Sequence, residues 1–136
     1  MIQQPYENLK FYQNICEIRR IVNQITENFD GRYIRLVSQM RDAARSAKQN
    51  IREGYAKDTA GEFIRGIKIS RGSLSELEGD IDDCFEDKLI SKKEHDDLKG
   101  LISKTNYQID RCVDSVYKLD REGKWKSRFK KKKIKP

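Results

Sequence analysis

Three groups of residues in this chain are of types that do chemistry: a lone histidine, a run of carboxylates, and a set of evenly spaced cations. His95 is the single histidine among 136 residues. A helical two-metal site needs Glu-x-x-His, and position 92 is Lys, so that reading fails for want of a ligand. Asp80, Asp82, Asp83, Glu86 and Asp87 are hard oxygen donors, but they lack the glycine-bearing spacing of a calcium loop and read as a solvated helix face. Cys16, Cys84 and Cys112 are isolated and odd in number, with neither CxxC nor His spacing. They read as small apolar residues rather than as a disulfide framework or a zinc site. No serine or cysteine is paired by motif with His95, and no glycine-rich phosphate loop occurs. The expectation is a protein with no catalytic residue, no metal and no cofactor, hence not an enzyme.

The cations point elsewhere. In SQMRDAARSAKQNIREGYAK, residues 38–57, two stripes run side by side at 100° per residue. Met40, Ala44, Ala47 and Ile51 form a core stripe; Arg41, Arg45, Lys48 and Arg52 lie one position further round. The second stripe covers about 16 Å along a helix axis, and the arginine fork suits phosphate oxygens. Either it meets an RNA backbone or it is a flank that pairs with acids of a neighbouring helix. Arg65, Lys68 and Arg71, in the first half of a later segment, are candidates for the same role.

A second basic feature is GKWKSRFKKKKIKP, residues 123–136, with seven Lys, one Arg and no acid. Taking those eight charges from the net +7 leaves the first 122 residues at −1. Here Lys124, Lys126, Arg128, Lys130, Lys131, Lys132 and Lys133 surround Trp125 and Phe129, an arrangement that can hold a backbone while rings stack on unpaired bases. No signal peptide and no run of about 18 apolar residues is present, so a cytoplasmic protein without membrane contact is expected.

What positions these residues is a fourfold repetition of 4-3-4-3 apolar spacing. The first run goes from Phe11 to Phe29 and ends at Asp30-Gly31; the second begins near Arg32 to Ile34 and stops at Gly54, read as a left-handed cap. The third opens with the capping-box pattern Thr59-Ala60-Gly61-Glu62 and follows the seam Phe63, Ile67, Ser70, Leu74, Leu77, Ile81 and Cys84. The fourth opens with a second box, Ser91 to Glu94, and runs from Leu98 through Cys112 to Leu119. Each helix would be roughly 22 to 29 residues, joined by short loops that force neighbours antiparallel. The predicted fold is all-α, an up-down-up-down four-helix bundle over residues 1–122, followed by a basic tail over 123–136.

Two features of the third segment point to a partner. Gly66, Gly72 and Gly79 lie off its core seam, which close approach by another chain would explain. Its charges are split, cations first and acids second, against the helix dipole. Such a rod suits a copy of itself, or one cationic and one anionic neighbour.

The stretches Ser38-Gln39-Met40-Arg41-Asp42-Ala43-Ala44-Arg45-Ser46, Asn50-Ile51-Arg52-Glu53-Gly54, Glu62-Phe63-Ile64-Arg65 and Gly72-Ser73-Leu74-Ser75-Glu76-Leu77-Glu78 carry a family resemblance. They resemble the signature of four-helix-bundle proteins encoded in intervening sequences of bacterial large-subunit ribosomal RNA genes. That family also takes in accessory variability proteins of diversity-generating retroelements. The resemblance covers roughly residues 6–120 and implies a non-enzymatic bundle that assembles as a ring-like homopentamer. In the retroelement branch it implies binding of RNA and of a reverse transcriptase; the other branch brings no defined molecular role, and a protein–protein adaptor is its reading. Lys48 and Gln49 stand where the family commonly has proline and small residues, and Arg52 where alanine is frequent. Those departures complete the cationic stripe.

Overall fold

Each apolar run folds as one helix. A computed structural model describes residues 5–125, where α1 spans Lys10–Thr26, α2 Ile34–Ala56, α3 Ala60–Glu86 and α4 Lys92–Arg121. Short 3-10 turns over Pro5–Asn8 and Gly31–Tyr33 precede α1 and α2. Cross-helix contacts show the directions. Gln39, Ser46 and Ala47 of α2 meet Asp80, Ser73 and Ser70 of α3, so numbers fall along α3 as they rise along α2. In the same way Lys68, Arg71 and Asp82 of α3 meet Tyr117, Asp110 and Lys99 of α4. The architecture is the expected antiparallel four-helix bundle.

The predicted seams are the core. Ile15, Ile18, Val22, Met40, Ala44, Ala47, Ile51, Ile67, Leu74, Leu77, Ile81, Ile102 and Ile109 are all fully covered. Late in α4 the phase slips, because an ideal helix drifts against a strict 4-3 repeat. Val113 is buried there, Cys112 is only partly covered, and Leu119 is exposed.

Several boundaries differ from the sequence expectation. α1 stops at Thr26 rather than near Phe29; the Thr26 hydroxyl turns back to donate to the Val22 carbonyl at 2.7 Å. Gly54 is not a cap: α2 continues to Ala56, and the left-handed residue that follows is Asp58 at φ 64°. Ser91 and Glu94 form the complete capping box, with bonds of 3.0 and 2.8 Å. At Thr59 the hydroxyl caps the Glu62 N–H at 3.1 Å, while the Glu62 carboxylate turns to Lys57 at 3.7 Å.

Gly54 has a different task. It faces Gly66, and a Cβ added at Gly66 would overlap the Asn50 carbonyl oxygen and stand 3.1 Å from the Gly54 Cα. A Cβ at Gly54 would come within 2.8 Å of the Glu62 carbonyl oxygen. Backbones of α2 and α3 therefore touch, and the contact continues with small side chains: Ser70 donates to the Ala47 carbonyl, and the Ser46 and Ser73 hydroxyls meet at 3.0 Å. Close packing inside the chain explains Gly66, contrary to the reading that set it outside. Gly72 and Gly79 have open space where a side chain would be.

The split charges of α3 are matched by α4. Arg71 makes two bonds to Asp110, at 2.7 and 3.0 Å, and Lys68 donates to the Tyr117 hydroxyl at 2.9 Å. At the other end Lys99 serves Asp82 at 3.0 Å and Glu78 at 3.6 Å. His95 lies over Phe85, with 4.7 Å between ring centroids, and bonds Asp82 through Nε2 and Asp96 through Nδ1. The cationic and anionic neighbour is α4 itself, so the charge split does not call for a second copy.

This ion cluster gives a pH prediction. Hydrogen bonds to Asp96 and then Asp82 raise the His95 pKa above the ordinary imidazole value. A raised folded-state pKa means stabilisation that is complete below the unfolded value of about 6.5 and lost as pH rises through the folded value. The urea midpoint of the wild type is therefore expected to fall on going from mildly acidic to mildly alkaline pH, and that of His95→Gln to stay flatter. Parallel curves for the two proteins would refute the assignment.

Candidate nucleic-acid interface

The cationic stripe of α2 packs along α1, and the structure divides it. Arg41 is partly buried: its Nε donates to the Thr26 hydroxyl at 3.0 Å and its Nη2 to the Asn23 carbonyl at 3.3 Å. A guanidinium at the last turn of α1 serves one of the last four carbonyls of the helix, that of Asn23, and suits the negative end of its dipole. Arg41 is a helix-end clamp rather than a free phosphate contact. Arg41→Ala is expected to cost about 1 to 3 kcal/mol of stability, and to leave the salt dependence of RNA binding as it is. Urea denaturation alongside RNA titration separates the two roles.

Arg45, Lys48 and Arg52 make no hydrogen bond or ion pair among the described residues. A fourth cation joins them from α1. Arg19 lines the same groove, which at this end consists of Arg19, Arg45, Lys48, Gln49 and Arg52 with no carboxylate. At the other end Glu27 and Asp42 stand near Arg19, Arg41 and Arg45. The groove is graded, mixed in charge near the α1–α2 turn and lined by cations without an acid toward the C-terminus of α2.

Arg19 is absent from the sequence reading. It is a single cation on α1, and only the pairing of α1 with α2 brings it to the stripe. Among the remaining candidates, Arg71 is ion-paired with Asp110 on α4, whereas Lys68 donates to the neutral Tyr117 hydroxyl and keeps its charge. Arg65 is exposed and stands at the α2–α3 turn near Glu53, Lys57 and Glu62. Lys124 is exposed and 3.8 Å from Glu122. Trp125 is not a free ring: it packs on Phe63 with centroids 5.7 Å apart. Lys126, Arg128, Phe129, Lys130, Lys131, Lys132 and Lys133 lie outside the described residues.

The groups that resemble catalytic ones are otherwise occupied. Burial pushes the thiols of Cys84 and Cys112 up to about 11, so both are neutral and unreactive near pH 7. Asp80 is not on the solvated face: it is 7% exposed, accepts from Gln39 at 2.8 Å, and burial raises its pKa. Among the described residues no group of three or more His, Cys, Asp or Glu side chains is placed to hold a metal. Nor is any helix among them long and apolar enough to cross a membrane.

Fold and groove together define an all-α bundle with a cationic groove between α1 and α2. The family model for 23S rRNA-intervening sequence proteins matches residues 7–111, and the chain belongs to that family. No curated protein matches it. The signature residues can now be placed: Ser46, Asn50 and Gly54 of α2 and Ser73 of α3 build or border the close α2–α3 contact, in which Gly66, outside the signature, faces Gly54. Part of the stretches that carry the resemblance thus serves packing, while Arg45 and Arg52 in the same stretches line the groove.

Proposed function

We propose that this protein is a non-enzymatic scaffold that binds RNA through the groove formed by Arg19, Arg45, Lys48 and Arg52, with the basic tail as a second contact. The observation that carries the reading is the convergence of four cations from two helices on one groove end that holds no acid. Solubility asks only for dispersed charge, and paired charges would have served it. Phosphate oxygens are the ligand that guanidinium and ammonium groups at this spacing fit. The test is a salt titration of RNA binding: log affinity should fall linearly with log salt, with a slope that counts phosphate contacts. Salt-insensitive binding, or none, would leave the protein–protein adaptor reading.

The scaffold is further proposed to be a homo-oligomer, a pentamer by the resemblance, and accessory subunit to a reverse transcriptase in the cytoplasm. Support for protein contacts comes from two exposed apolar side chains, Ile69 of α3 at 43% and Tyr107 of α4 at 57%, and from the open space beside Gly72 and Gly79. Light scattering at micromolar concentration is expected to give a mass well above the 16.0 kDa chain; a single 16 kDa species would exclude it. A reverse transcriptase gene beside this one, and co-purification of the two products, is the expected partner result.

A further inference from the structure

The groove between α1 and α2 changes in width as well as in charge. Near the α1–α2 turn it is a cavity of about 640 Å³ that Glu27 and Asp42 share with the cations. Toward the C-terminus of α2 it narrows to about 160 Å³, and Arg19, Arg45, Lys48 and Arg52 all line that one small space. Arg19 and Lys48 are half-buried there, and none of the four makes a hydrogen bond or ion pair among the described residues. The fifth lining residue, Gln49, gives its amide N–H to Glu53 at 2.9 Å. Four cations thus share a narrow space with no anion in it.

A row of cations and a cavity of cations fit different ligands. An RNA backbone spreads single charges along its length, and a row running from Arg41 to Arg52 would follow it. The packed bundle instead ties Arg41 to the end of α1 and adds Arg19 at the narrow end. Like charges gathered in this way repel one another, and the ligand that relieves them best is compact and multiply negative. A phosphomonoester carries about −1.5 to −2 at pH 7 and three acceptor oxygens, where a diester carries one charge. A triphosphate end adds further charge in a short chain.

We infer that the narrow end of the groove is a receptor for a terminal phosphate group, the 5′-monophosphate or 5′-triphosphate of an RNA strand. This rests on the RNA-binding reading and names the part of the strand that the cavity takes. Arg45 and Arg52 are seven residues apart, about 10.5 Å along the axis with Lys48 between them. Two guanidinium forks and an ammonium can then each serve different oxygens of one phosphate chain, with Arg19 facing them from α1.

The experiment uses the full chain and one oligouridylate, labelled with fluorescein at its 3′ end and bearing a 5′-hydroxyl, a 5′-monophosphate or a 5′-triphosphate. Anisotropy titrations should rank triphosphate above monophosphate above hydroxyl. The first and last should differ by at least about tenfold, since one charge-assisted contact is worth a decade or more. Arg19→Gln and Lys48→Gln should each remove most of that ratio, while Lys104→Gln, at an exposed position of α4, should preserve it. Circular dichroism should show the same helix content throughout. A preference that survives both groove substitutions arises elsewhere on the chain and overturns the inference. Free tripolyphosphate, titrated by calorimetry, should bind more weakly than the triphosphorylated strand; equal binding assigns the cavity to a free polyphosphate and overturns its assignment to an RNA end. Equal affinity for the three strands overturns the inference and leaves the groove as a backbone contact. Failure of all three to bind in a salt-dependent way overturns both readings.

Discussion

Gly66→Ala should lower the stability of this bundle by about 3 kcal/mol or more, a larger loss than a single added methyl ordinarily causes. At most positions in the middle of a helix the change would be favourable, since Ala exceeds Gly in helix propensity by about 1 kcal/mol. At Gly66 the new Cβ overlaps the Asn50 carbonyl oxygen and nears the Gly54 Cα. Those are backbone atoms, which cannot swing aside as a side chain can. Relief requires α2 and α3 to separate, and with them go the Ser70 bond to the Ala47 carbonyl and the Ser46–Ser73 contact. The control is Gly100→Ala on α4, where nothing lies within 4 Å of the added atom; that variant should gain up to about 1 kcal/mol. Thermal melts suffice, the first falling by roughly 10 °C and the second holding or rising. Equal melting of the two variants would show that the backbones of α2 and α3 do not touch.

Arg45→Glu with Arg52→Glu should weaken RNA binding on the order of 10²-fold while leaving helix content and assembly unchanged. Neither residue makes a hydrogen bond or an ion pair among the described residues, so reversal breaks nothing inside the bundle. Each charged contact is worth about 1.5 to 3 kcal/mol, and two of them amount to at least two decades in affinity. The salt slope should also fall, by at least about 0.7 for each cation lost on a single strand. Sequence should matter little, because phosphates carry none. Charge reversal at Arg71, which is tied to Asp110 on α4, is the contrast: it should cost stability instead of RNA affinity. If the Arg45/Arg52 variant binds like wild type, the groove faces protein or solvent, and only the tail is left as an RNA contact.

By itself the sequence determined the helices and their order. Apolar spacing marks a buried stripe whatever it packs against, and the capping residues Thr59 and Ser91 act within one turn, so both are local and both were legible. Short connections then restrict four such helices to an antiparallel bundle. What the sequence could not decide was which surface residues are already engaged, because that depends on the rotation of each helix about its axis. Arg41 and Arg45 are one turn apart and chemically alike. Tertiary packing gives the first to the end of α1 and leaves the second in an open groove, joined there by Arg19 from a helix that showed no basic pattern of its own. Rotation likewise turned Asp80 inward and set Gly66 against Gly54. It also made α4 the charge complement of α3, with Lys99 and Asp110 meeting acids and cations 17 and 39 residues away. Periodicity shows that a helix has a covered face; only the packed bundle shows what covers it.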